Sequence, residues 1–147
     1  MEKDKIYISK VKDFDIFSKE VRHWLFKLNL INFEVFLRHD KIEAQSRAEC
    51  TFNIEDKIVV ISLGTEWANI EPTHKEICKT AFHECCELLL GQAYIGLLNL
   101  NIDDEEVNGR MHSVIRTLEN TWFKEDYALR YEKKCHGKCK PKKGKKK

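Results

Sequence analysis

The sequence predicts a single α+β domain, because a first amphipathic helix is followed by three short strand patterns and then by two long helical stretches, with no strand–helix alternation of the kind that builds βαβ units. A chain of 147 residues with 42% hydrophobic composition can bury a core without disulfide staples, which fits one domain over residues 1–132. Residues 133–147 hold nine lysines and no acid, and are expected to form a disordered tail.

The first helix is predicted over residues 13–30, where Phe14, Phe17, Val21, Trp24, Leu25 and Leu28 recur at spacings of three and four and make one apolar face that should pack on a sheet. Strands follow at residues 33–39, where Phe33, Val35 and Leu37 alternate with Glu34 and Arg38, and at residues 48–54, where Cys50, Phe52 and Ile54 alternate with Glu49, Thr51 and Asn53. Residues 57–63 are β-branched and apolar on both sides, so they read as the most buried strand of a small, mostly antiparallel, three-stranded sheet. A second helix starts at a capping box, Thr73 with Glu76, and runs to about residue 98 with apolar side chains on nearly every side. Residues 99–102 should turn the chain. Asp103 then caps a third helix on which Val107, Met111, Val114, Ile115, Leu118 and Trp122 repeat at helical spacing up to about residue 131.

Charge and cysteine usage bound the setting. Nine of the 26 basic side chains sit in the last 15 residues, so the rest of the chain holds 17 basic against 24 acidic groups and carries a net −7. Such a body offers no footprint for nucleic acid, whereas the lysine-rich tail would attract phosphate backbones weakly and with steep salt dependence. Cys85 and Cys86 are neighbours in a helical stretch, and Cys50 and Cys78 lie in apolar runs, so all four are expected to be reduced and to pack as small hydrophobes. Cys135 and Cys139 flank His136 with metal-ligand residue types, but they make only half of a four-ligand site. No run approaches the ~20 apolar residues of a membrane span, and residues 1–5 lack the apolar segment of a signal peptide. The protein is therefore expected in the cytoplasm.

One cluster carries chemistry. His83 and Glu87 are four apart on the second helix, so they project from one face within reach of a single ion, with Glu84 one residue round. In the zinc-hydrolase motif H-E-x-x-H two histidines bind the metal and the intervening Glu takes a proton from water. Here the second histidine position holds Glu87, whose carboxylate is a legitimate zinc ligand but lowers the net charge of the site. A bare H-E-x-x-E would arise in about 7% of shuffled chains of this composition, so the motif needs its setting. That setting is a helix otherwise too apolar to tolerate unpaired charge. The plainer alternative is that Glu84 and Glu87 pair with Lys79 or Lys75 at a rim.

A third ligand is expected from the third helix. If it returns antiparallel about a turn near residue 101, the level of residues 83–87 meets residues 115–119, which His112 and Glu119 bracket. Seven residues separate these two, ~10 Å along a helix, so only one can be a direct ligand. The other reading of His112 is a hydrogen-bonded histidine between helices.

In its order of elements the chain resembles the short metallopeptidase-like proteins of bacteriophage genomes and, more distantly, SprT-like and other compact zincins. The resemblance spans roughly residues 14–123 and rests on "NFEVFLRH", "IVVISLG", "AFHECCELLL" and "EEVNGRMHSVIRTLEN". It implies a compact zincin-like fold that binds Zn²⁺ and hydrolyses a peptide or protein substrate. His83 would be a metal ligand, Glu84 the catalytic base, and position 87 the second ligand, with His112 or Glu119 as a further ligand or its support. A non-catalytic zincin-fold protein that binds a host or nucleic-acid-associated partner is the alternative. Glu87 departs from the His that such proteins often carry there.

Overall fold

The computed structural model describes residues 5–43, 46–98 and 103–132, with the backbone alone for residues 95–98. In chain order the elements are β1 (Ile6–Ile8), α1 (Val11–Lys27), β2 (Glu34–Asp40), β3 (Ala48–Asn53), β4 (Ile58–Gly64), β5 (Glu66–Ala68), α2 (His74–Leu98), α3 (Asp104–Leu118) and the single turn α4 (Lys124–Tyr127). Wide π-helical turns at Glu119–Phe123 and Ala128–Glu132 join α3 and α4 into a continuous helical stretch. The α+β prediction holds. The turn expected at residues 99–102 and the lysine tail lie outside the described residues.

The alternating strands put one sheet face on the core and the other in water. Val59, Ile61 and Leu63 of β4 are fully buried, with Val35 and Leu37 of β2 and Cys50 and Phe52 of β3 packed against the same core. β4 is the central strand, as its apolar pattern predicted, in the order β2-β4-β3. Its pairing with β3 is antiparallel and its pairing with β2 is parallel, so the sheet is mixed rather than mostly antiparallel. The hairpin of β3 and β4 turns its second strand, not its first, toward β2. The short pair β1–β5 is an addition that three-residue segments, 57 residues apart, did not announce.

α1 packs chiefly on α2 and also contacts β2. Its apolar face, with Phe17, Val21 and Trp24 fully buried, meets Phe82 and Trp122 edge-on. Two buried acids fix the end of the helical stretch to α1. Glu20 receives two 2.7 Å hydrogen bonds from Arg130 and one from the Tyr131 hydroxyl. Asp126 receives bonds from Lys27, His23 and Arg130.

α2 lies nearest to the edge strand β3, not to β4. Gly91 permits this approach, because a Cβ there would fall 2.1 Å from the tip of the Phe52 ring. Gly64 does the same for the strand edge: a Cβ would meet the Ser46 carbonyl oxygen at 2.3 Å, where the Gly64 amide bonds Arg47 O at 2.8 Å. Gly91 thus lets α2 approach β3, Gly64 lets the segment leading into β3 approach β4, and that segment forms a wall of a pocket.

Candidate metal centre

The Thr73 hydroxyl accepts from the Glu76 amide at 3.3 Å, so α2 begins where the capping signal placed it. Three turns later His83, Glu84 and Glu87 reach a cavity of about 260 Å³ whose other walls are residues 46–50 and α3. Antiparallel return of α3 brings His112 and Glu119 to the same cavity, as the turn arithmetic predicted. The His83 and His112 rings stand 5.5 Å apart, centre to centre. A larger cavity of about 410 Å³ between α2 and α3, walled by Leu90, Val107 and Met111, is apolar and has no such convergence.

The two histidines present themselves in the same way. His83 Nδ1 lies 2.9 Å from Glu119 Oε1, and His112 Nδ1 lies 3.0 Å from the carbonyl oxygen of Asn108. Both partners are acceptors, so both Nδ1 atoms carry hydrogen and donate it. This leaves each Nε2 facing Glu87 Oε1, at 3.2 Å in both cases. A neutral imidazole presents a lone pair there, which repels the carboxylate oxygen. The arrangement is therefore stable only with a proton, on a ring or on Glu87, or with a cation among the three atoms.

The donor atoms of His83, Glu87 and His112 all lie within 4.8 Å of one another. Tetrahedral zinc with ligands at ~2.0–2.1 Å has ligand–ligand edges of ~3.3 Å, close to both 3.2 Å separations. Two imidazole nitrogens and one carboxylate oxygen suit such an ion. Glu119 belongs on the other side of the imidazole: its two oxygens take His83 Nδ1 and, at 3.4 Å, Lys79 Nζ.

Glu84 and Glu87 do not pair with Lys75 or Lys79, which instead reach Glu132 and Glu119. Glu84 is 5% exposed, and no described residue gives its carboxyl a hydrogen bond. Burial, and then the neighbouring Glu87 carboxylate, raise its pKa to about 8 against the opposing pull of His83 and Arg47. For His83 burial opposes the charged form, but the hydrogen bonds with Glu119 and Glu87 outweigh it and raise its pKa to about 9. Burial likewise opposes ionisation of Glu119, yet His83 and Lys79 hold its carboxyl below the usual range.

Residues 46–50 and Thr80 were not expected at the pocket. Thr80 precedes Glu84 by one turn, so helical spacing flags it in retrospect. Arg47, at the start of the β3 wall, carries no signal in the sequence. Cys78, Cys85 and Cys86 are buried free thiols, as expected of small core side chains, and Cys50 is half-buried. Among the described residues no helix is long and apolar enough to cross a membrane. No protein-family model matches the chain, and no curated protein or solved structure matches it.

Proposed function

We propose that the chain is a zinc-dependent metallohydrolase that cleaves peptide bonds. The observation that carries this reading is the aim of both histidines: each Nδ1 is tied to an acceptor, and each Nε2 converges with Glu87 Oε1 on one point. His83, His112 and Glu87 would hold the ion, and Glu119 would fix the His83 ring from behind. A bound Zn²⁺ ion supplies Lewis acidity and makes water at the site more acidic.

The remaining work falls to the chain's own groups. Glu84 lies in the same pocket with a pKa close to neutrality, so its carboxylate can accept a proton from water and pass it to the departing amine. β3 ends the sheet beside the pocket, and its outer edge has backbone groups that an extended peptide can pair with. Free thiols at four positions fit a reducing cytoplasm, that of a host cell if the chain is phage-encoded.

One observation favours the second reading, a binding protein without catalysis. Lys79, Glu119, His83, Glu87 and His112 form an unbroken chain of ion pairs that also satisfies itself when His83 and His112 are protonated. Turnover separates the two. A casein or fluorogenic-peptide assay should give zinc-restored, chelator-sensitive hydrolysis that Glu84→Gln lowers ~10²–10⁴-fold. No hydrolysis with zinc in place would leave the binding reading, and hydrolysis unaffected by Glu84→Gln would remove Glu84 as the base.

A further inference from the structure

The pocket is polar along its length. Lys79 and Thr80 lie one helical turn before His83 and Glu84, and Glu87 lies one turn after. Across from them Arg47, on the β3 wall, reaches back to Glu76 at 3.4 Å, so its guanidinium sits over the same N-terminal end of the pocket as Lys79. Cationic side chains thus gather at one end, and the Glu87–His112 pair occupies the other.

We infer that the end formed by Arg47, Lys79 and Thr80 is a carboxylate-binding subsite that receives an anionic group of the substrate. The inference rests on the hydrolase reading in taking a peptide as the pocket's occupant. Both cations are held loosely where they are. Arg47 meets Glu76 through one nitrogen at 3.4 Å, Lys79 meets Glu119 at 3.4 Å, and both side chains are more than a third exposed. A guanidinium has five N–H donors in a fork that fits a carboxylate, so most of Arg47's capacity is unused.

Thr80 supplies the independent observation. It is 5% exposed, and its Oγ1 has no hydrogen-bond partner. Buried hydroxyls are normally satisfied, and one without a partner on a residue that lines a pocket is explained by a ligand or water that completes it. A carboxylate has two acceptor oxygens, enough for the Arg47 fork, the Lys79 ammonium and the Thr80 hydroxyl together. Because Glu76 and Glu119 already balance the two cations, and Glu49 and Glu84 line the same pocket, the gain from a substrate carboxylate is limited to about tenfold in affinity.

The test is a binding measurement on the full chain with chelator present, so that no bound cation competes for the carboxylate. Three probes are titrated by calorimetry or NMR: acetyl-Ala-Ala with a free C-terminus, its C-terminal amide, and acetyl-Asp-Ala amide. At least one carboxylate probe should bind about tenfold more tightly than the neutral amide. Arg47→Gln should close that gap and Thr80→Val narrow it, with thermal unfolding showing both variants folded. Preference for the free C-terminus points to carboxypeptidase-like selection, and preference for the Asp probe to an acidic side chain. No carboxylate preference, or one that Arg47→Gln leaves intact, overturns the proposal. Binding is read without turnover, so a chain that binds carboxylate peptides but never cleaves them refutes the hydrolase and keeps the subsite.

Discussion

Replacing Glu84 by Gln should make the metal-free protein less sensitive to alkaline pH. The folded state raises the pKa of Glu84 from 4.5 to about 8, so it holds the proton more tightly than the unfolded chain does. Stability from this group is full below pH 4.5 and falls as pH rises through 8. Between pH 5 and pH 9 the linkage amounts to ~4 kcal/mol. That pKa already includes the pull of the His83 imidazolium, so the expected shift stays at ~4 kcal/mol and comes from the burial cost and the repulsion by Glu87. Glutamine, neutral and nearly the same shape, has neither effect. Urea unfolding followed by tryptophan fluorescence, at pH 5, 7 and 9 with chelator, reads the difference. The variant should match or slightly exceed wild type at pH 5 and gain on it steadily to pH 9. A difference that does not change with pH would mean that Glu84 ionises as an ordinary surface carboxylate, and its role as a base poised near neutrality would fail.

Other perturbations test the parts around it. Glu119→Gln should weaken zinc binding ~10–100-fold without removing a ligand, because it loosens the His83 ring; competition with a chromophoric chelator measures this. Arg130→Ala leaves Glu20 and Asp126 buried with fewer partners and should cost about 3–5 kcal/mol in chemical denaturation, while Arg130→Lys recovers only part. Burial works against ionisation of Glu20, but Arg130 and Tyr131 hold its carboxyl below the usual range, so its contribution is present above pH 4.5 and lost as the solution is acidified. Deleting residues 133–147 should leave the unfolding midpoint in place, and should abolish any nucleic-acid retention, which falls steeply with salt.

Periodicity made most of this architecture legible. Phe17, Val21 and Trp24 mark the buried face of α1, and alternation in β2 and β3 separates the wet face from the core. Spacing also carried the site, since i,i+4 geometry joins His83 to Glu87 and a centred turn brings His112 and Glu119 alongside. What periodicity fixes is which side a residue faces, not which strand lies next to it. The parallel union of β2 with β4 therefore stayed hidden, as did the packing of α1 on α2. The division of labour between His112 and Glu119 was equally out of reach, because both reach the pocket at helical spacing and only their contacts, Glu119 with His83 Nδ1 and His112 Nε2 with Glu87, tell them apart. Buried Glu20 and Asp126 look like surface charges until Arg130, more than a hundred positions from Glu20, is brought to them. Arg47 enters the pocket only through the close contact that Gly64 allows.

Metal content is the most direct test of the site. Elemental analysis of protein purified without chelator and then equilibrated with zinc should find about one zinc per chain in wild type and in Glu84→Gln, whose residue is not a ligand. His83→Ala, His112→Ala and Glu87→Ala should each lose it, with circular dichroism showing the fold retained. Wild type without zinc, or ligand variants that keep it, would mean that His83, Glu87 and His112 are held together by protons alone and that the cluster is a structural ion-pair network.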